Sequence, residues 1–502
     1  MIDRSSLWEA WPLDNAMGRI TALFGGDNKQ LWPWWDGLHN GLDFRASLGE
    51  PVRAVRGGRV FEVREDPDGY GKYLKIGSAN DHELYAHLDR WTVRNGDMVT
   101  AGDVIGHAGS TGNSTGVHLH IGKRVASLMR YRNALDGWVN PLPFAWQLLL
   151  RQHNFKLSDH WDAYHRGAYD DEALRRWRPP VVKLLKRSYM DPSALAAALD
   201  VARGGSIIIL RNWEISVQHD ALFDDPESLG AAHAAFWDEE LGRIRDATGM
   251  EMPRHLLAVE GLNEPPEWRF GLDEASQRRG AAVIARYSAA FATAAARHLL
   301  SVVTPNLSVG WPGNGGVTNK PPHWDAYQGM RDALTQYGGL LSVHEYCSGF
   351  RDGNGLHVDF VEGWLIGRYR TSFDAGFHHV FVVVTETGID NGLIGRPGES
   401  WMNSGLSAAD YMGVLQGLDE IYAADAGVLG ACIFSRDGVE ENWGGFDIRH
   451  PEMMERIIDY AAARREAYEP PSPDPETPPE HDDALAALDE RMTRLERWAA
   501  SF

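Results

Sequence analysis

Gly116-Val117-His118-Leu119-His120-Ile121-Gly122 decides how the first quarter of this chain is read. In an extended strand alternate side chains share a face, so His118 and His120 point together at whatever lies above the sheet. Two imidazoles on one face suit a metal or a proton relay, and two half-buried strand histidines are the plain structural alternative. Upstream, Leu38-His39-Asn40-Gly41-Leu42-Asp43-Phe44 sets a histidine and a carboxylate four residues apart. Between them, Leu84-Tyr85-Ala86-His87-Leu88 adds another histidine in a strand-like setting. Catalytic zinc takes three N or O ligands and keeps a position open for water. His39, Asp43 and His120 complete such a set, which leaves His87 and His118 as general base and oxyanion stabiliser. Spacing alone does not decide which of His118 and His120 is the ligand.

The surroundings are β-rich. Short apolar runs at 52–55, 60–63, 73–76 and 84–87 alternate with turn signals such as Arg56-Gly57-Gly58 and Pro67-Asp68-Gly69. That pattern predicts an antiparallel β domain built from hairpins. An apolar stretch at 144–150 closes it, and the boundary falls near residue 152.

The segments HNGLDF, GYGKYLKIG, LYAHLD, NGDMVTAGDVIGHAGSTGNSTG and VHLHIG follow in that order between residues 20 and 124. Together they resemble the lysostaphin- and LytM-type zinc endopeptidases, which cut peptide cross-links in bacterial cell walls. The resemblance implies one Zn2+ held by His39, Asp43 and His120, with His87 and His118 catalytic. Val117 stands where that family usually has Pro, and Gly122 where an acidic residue is frequent; neither position carries a ligand atom. Trp32, Trp34 and Trp35 crowd the loop before His39, as the wall of a substrate groove or as a satellite cluster pinning the loop.

From about 154 to 465 the texture changes to apolar runs alternating with long Ala-, Leu- and Arg-rich segments. Strands are expected at 155–159, 181–186, 207–213, 256–262, 302–307, 340–346, 380–385 and 428–434. Eight strands alternating with helices over some 310 residues fit a (β/α)8 TIM barrel. The fourth strand ends Asn263-Glu264-Pro265 and the seventh Thr385-Glu386-Thr387-Gly388. Two carboxylates at the C-terminal rim of such a barrel are the minimum for glycoside hydrolysis. These endings resemble the retaining glycoside hydrolases of clan A. The resemblance implies Glu264 as acid/base, Glu386 as nucleophile and Asn263 on the sugar 2-hydroxyl. It also implies that His344 and Tyr346 orient the nucleophile and that Arg211 is the active-site arginine. Trp213, Trp268, Trp311, Trp401 and Trp443 fall at or after strand ends, where indoles stack on sugar rings or enter the core.

Bulk properties set limits. The chain has 502 residues and is 43% hydrophobic, enough for several domains. Its net charge of -21 disfavours nucleic acid and anionic membranes as partners. Cys347 and Cys432 are the only cysteines, which excludes a disulfide scaffold and a cysteine-rich zinc site. No stretch reaches the ~18 apolar residues of a membrane span, and the first 20 residues lack a basic region followed by an apolar run, so no membrane insertion and no signal peptide are expected. Residues 468–480 form a Pro-rich linker. Within 481–502, Leu485, Leu488, Met492, Leu495, Ala499 and Phe502 keep the a/d spacing of a coiled coil, for homo-oligomerisation or docking, or for packing back on the barrel. The expected organisation is a metallopeptidase domain at 1–152, a glycoside hydrolase-like barrel at 153–467, the linker, and the coiled-coil helix. Peptides and glycan meet in bacterial peptidoglycan, so the expected function is a bifunctional cell-wall hydrolase, a phage lysin free or virion-attached. The alternative is a virion structural or wall-binding component whose barrel grips glycan without cutting it.

Overall fold

The computed structural model describes residues 3–26, 37–125, 135, 137–162, 167–309, 323–360, 365–397, 399–437 and 444–468. Trp32, Trp34, Trp35, Trp311, Trp443, the linker from 469 onward and the heptad segment at 481–502 lie outside the described residues.

The first sheet comprises β1 (Ile20–Ala22), β2 (Leu42–Arg45), β3 (Pro51–Arg53), β4 (Gly58–Asp66), β5 (Gly71–Gly77), β6 (Asp81–Trp91), β7 (Met98–Val99), β8 (Val104–Ala108), β9 (His118–Val125) and β10 (Trp138–Val139). Its main path runs β1-β2-β9-β6-β5-β4-β7, with antiparallel pairing along it. Period-two alternation explains the central strands. Leu42 and Phe44 of β2 and Leu119 and Ile121 of β9 are wholly buried on the core face, so Asp43, His118 and His120 turn to the other. Register then gathers the functional groups, because His120 lies opposite Asp43 on one side and Ala86, next to His87, on the other.

The second sheet is a closed barrel of eight parallel strands. In chain order it uses β11 (Leu157–Trp161), β12 (Val181–Leu185), β13 (Ile207–Arg211), β14 (Leu257–Glu260), β15 (Ser301–Leu307) and β16 (Leu340–Asp352). A hairpin strand, β17 (Gly355–Asp359), follows, and β18 (Val382–Ile389) and β19 (Val428–Arg436) complete the ring. Pairings β15–β16 and β19–β11 close it. Strands buried on both faces read as continuous apolar runs, as in Ile207-Ile208-Ile209-Leu210. Helices such as Pro192–Arg203, Pro226–Thr248, Glu274–Arg297 and Ala408–Ala423 lie between successive strands. The first strand forms two residues later than its apolar pattern predicts.

The helix Leu142–Leu150 joins the two sheets. Trp146 Nε1–H donates to the His255 carbonyl at 2.7 Å, and Phe144 packs edge-on against Phe381 with centroids 5.2 Å apart. His255 and Phe381 precede β14 and β18, so this contact meets the barrel where those strands begin. Among the described residues no helix is long and apolar enough to cross a membrane.

Candidate metal centre and barrel pocket

Three ligand atoms converge on the polar face of the first sheet. His39 Nε2 lies 3.1 Å from Asp43 Oδ1 and 3.0 Å from His120 Nδ1, and the His120 nitrogen lies 2.9 Å from the same Asp43 oxygen. Tetrahedral zinc with bonds of about 2.0–2.2 Å sets its ligands about 3.3–3.5 Å apart, so this triangle fits with little adjustment. His39 Nδ1–H donates to the Leu23 carbonyl at 3.0 Å, which turns Nε2 toward the other two groups. Three donor atoms about 3 Å from one another need a cation between them, a proton or a metal ion, and although burial opposes it, Asp43 raises the His39 imidazole above its ordinary value. Burial alone would raise the Asp43 carboxyl; the adjoining His39 and His120 outweigh it and hold it well below the usual range. Gly41 makes the approach possible, since a Cβ there would lie 2.3 Å from the Ile121 carbonyl oxygen and 2.7 Å from His120 Cε1.

Two further imidazoles border this centre. His87 Nδ1–H donates to the Thr111 carbonyl at 2.9 Å, and His118 Nδ1–H to the Gly116 carbonyl at 2.9 Å. Each ring therefore carries its lone pair on Nε2. His118 Nε2 lies 3.8 Å from Asp43 Oδ2, and the two rings stand 4.7 Å apart. Burial, with His120 and His118 nearby, lowers His87 to about 3 and keeps it neutral. His87 also holds a left-handed backbone at φ 60°, strain of the kind found where geometry matters more than relaxation.

The barrel carries its own cluster at the C-terminal ends of its strands, around a cavity of about 630 Å³. Glu386 accepts from Arg211 Nη1 at 2.5 Å and from the Tyr346 hydroxyl at 3.0 Å. Burial opposes its ionisation, but His344, Lys183 and Arg211 override that and hold the carboxyl far below its ordinary range. Glu264, at φ 47°, accepts from His344 Nδ1–H at 2.8 Å. Oxygens of the two glutamates and a His344 nitrogen all lie within 4.8 Å of one another. Asn263 and Trp213 line the same cavity, and Arg211 stacks on the Trp213 ring at 4.6 Å.

Several sequence expectations shift. His344 sits against Glu264 and, at 3.4 Å, Glu386 together, so it contacts both carboxyls rather than that of Glu386 alone. Trp268 is 40% exposed and is not among the residues lining the cavity. Trp401 is core, stacked on Tyr411 with centroids 5.3 Å apart. Sequence reasoning passed over Lys183 and Glu260, fully buried and 3.0 Å apart inside the barrel, with Lys183 3.6 Å from Glu386. It also passed over His160, whose ring lines the cavity. The signal was present: a lysine inside the apolar run Val181-Val182-Lys183-Leu184-Leu185 has to meet a buried anion.

Residues 37–132 match the family Peptidase family M23. Over 111 residues the chain is 38% identical to lysostaphin of Staphylococcus simulans, a match covering 22% of this chain and 21% of that protein. It is 43% identical over 108 residues to the DD-carboxypeptidase/endopeptidase Mpg of Neisseria meningitidis serogroup B, covering 21% and 24%. It is 38% identical over 143 residues to the peptidoglycan DD-endopeptidase ShyB of Vibrio cholerae, covering 28% and 32%. The chain thus spans about a fifth to a third of the length of these relatives. The N-terminal region is an M23-type peptidase domain, and its His39, Asp43 and His120 form a group able to hold a metal.

Proposed function

We propose that the chain is a bifunctional peptidoglycan hydrolase, a zinc-dependent endopeptidase fused to a retaining glycosidase on a (β/α)8 TIM barrel. The observation that carries the first half is the convergence of His39 Nε2, Asp43 Oδ1 and His120 Nδ1, bordered by His87 and His118. When bound, zinc polarises the scissile carbonyl and acidifies water. The chain's own residues do the rest. His39, Asp43 and His120 would hold the ion; Nε2 of His87 or His118, each ring with its Nδ1–H on a backbone carbonyl, takes a proton from the attacking water and returns it to the leaving amine. ShyB, a peptidoglycan DD-endopeptidase by name, and Mpg, a DD-carboxypeptidase/endopeptidase by name, support a wall peptide as substrate.

For the barrel, the support is the spacing and electrostatics of Glu264 and Glu386. Retaining enzymes place two carboxyl groups about 5–5.5 Å apart, and oxygens within 4.8 Å suit that class. Glu386, kept ionised by His344, Lys183 and Arg211 around it, is the nucleophile; Glu264, which accepts from His344 Nδ1–H, is the acid/base. A phage lysin, free or virion-attached, is the setting in which this pairing makes sense.

The test is to incubate purified bacterial cell wall with the full chain and with His118→Ala and Glu264→Gln variants. New amino termini that vanish with His118→Ala, and new reducing ends that vanish with Glu264→Gln, are expected. Amino termini without reducing ends would leave the barrel a glycan-gripping module, and neither product would overturn both activities.

A further inference from the structure

The first sheet and the barrel share more than the connecting helix, and part of what they share lies behind the metal centre. His39 is held from the rear by residues 23–26. Its Nδ1–H donates to the Leu23 carbonyl at 3.0 Å, its amide donates to the Gly26 carbonyl at 2.9 Å, and the Gly25 amide donates back to the His39 carbonyl at 2.8 Å. This turn rests directly on the barrel. Gly25 stands at φ 82°, and a Cβ on it would lie 3.0 Å from the carbonyl oxygen of Ala296, in the last turn of the helix Glu274–Arg297. Phe24 is buried in a cluster with Tyr73, Leu84 and Trp138, and Tyr337, the last residue of the helix Gln328–Tyr337, packs against that cluster. The same helix end grips the other side of the site. The Asn140 amide donates to the Gln336 carbonyl at 2.9 Å and its Nδ2 to the Tyr337 carbonyl at 3.1 Å, just after β10, which pairs with β9 at Lys123 and Arg124.

We propose that the barrel is part of the outer support of the metal centre: through Ala296 and Tyr337 it fixes the turn at 23–26, and the turn fixes the His39 ring with Nε2 toward Asp43 and His120. Which imidazole nitrogen binds a metal is set by the hydrogen bond at the other, and loss of such a partner costs about 10–100-fold in affinity. Here the partner is a backbone carbonyl, so its position depends on whatever seats the turn. Ala296 and Tyr337 touch neither metal nor substrate; they are positioning residues. The inference rests on the zinc-site half of the proposed function and is independent of what the site cuts.

The experiment uses the full chain with Ala296→Leu, Tyr337→Ala and, as a conservative control, Ala296→Ser. Zinc affinity is read by competition with a chromogenic chelator, and the His39 tautomer by spectra of 15N-histidine-labelled, zinc-free protein, with circular dichroism to check folding. Ala296→Leu and Tyr337→Ala are expected to bind zinc about 10–100-fold more weakly and to lose the His39 Nδ1–H signal of the bond to Leu23, while Ala296→Ser keeps both parental values. Should Ala296→Leu fail to fold, Tyr337→Ala decides by the same two readouts. A parent chain that binds no zinc fails the zinc reading itself. A parent that binds, with folded variants matching its affinity and its His39 signal, overturns the role of the barrel.

Discussion

Gly41→Ala is the sharpest probe of the metal centre because it touches no ligand atom of its own. Gly41 lies between His39 and Asp43 where β2 begins, and an added Cβ would stand 2.3 Å from the Ile121 carbonyl oxygen and 2.7 and 2.8 Å from Cε1 and Nε2 of His120. Comfortable contacts of that carbon need more than about 3.4 Å, so β2 must draw back from β9 by roughly 1 Å. The displaced pairs are Leu42 with Ile121 and Asp43 with His120, which means that two of the three ligands move apart. Zinc sites tolerate departures of about 0.2 Å in bond length, a fraction of that movement. Overpacking of this kind costs about 1–3 kcal/mol of stability. A 100-fold loss of zinc affinity removes about 2.7 kcal/mol more from the zinc-saturated protein. The assay is thermal unfolding with and without zinc, alongside chelator competition. Gly18→Ala, where nothing lies within 4 Å of the new carbon, is the control. Gly41→Ala protein that binds zinc as tightly as the parent and gains as much from it on heating would refute the assigned geometry.

Other consequences can be checked separately. His118→Ala is expected to retain its zinc while peptide cleavage slows by about 10²–10⁴-fold, and loss of the metal would make His118 a ligand. Lys183→Met leaves Glu260 buried without its cation 3.0 Å away, at a cost of about 3–5 kcal/mol in denaturant unfolding; a cost near zero would mean that the pair contributes nothing. Burial raises the Glu345 carboxyl from 4.5 to about 7, against the Gly367 amide that donates to it at 2.8 Å. The folded state therefore holds that proton more tightly than the unfolded chain. Its contribution is complete at low pH and is lost as pH rises from about 4.5 to about 7, by roughly 3 kcal/mol. Glu345→Gln should flatten that limb of the stability profile, and an unchanged limb would place the titration elsewhere.

The candidate metal centre was legible in the sequence because two of its three residues, Asp43 and His120, sit in strands. Period-two alternation in Leu42-Asp43-Phe44 and His118-Leu119-His120 already put the polar side chains on one face, and only the register, His120 against Asp43, had to come from the structure. The barrel strands were legible as apolar runs, and the two glutamates as carboxyls at the ends of such runs. Less could be read where backbone or solvent exposure decides. The Leu23 carbonyl that orients His39 leaves no side-chain signature, and Trp268 and Trp401 look alike as loop indoles although one is exposed and the other is core. Lys183 and Glu260 were passed over for a different reason. Each looks like a lone charge in an apolar strand until β12 and β14, the two neighbours of β13, turn them into the same barrel interior.

We propose that a zinc ion on His39, Asp43 and His120 drives peptide cleavage in the bacterial wall. It is tested most directly by stripping the full chain with a chelator, titrating zinc back, and counting the amino termini released from purified peptidoglycan. Release is expected to be absent from the stripped protein and to return in proportion to zinc, saturating at about one ion per chain. Release that survives stripping, or that stays absent when the site is filled, would contradict it.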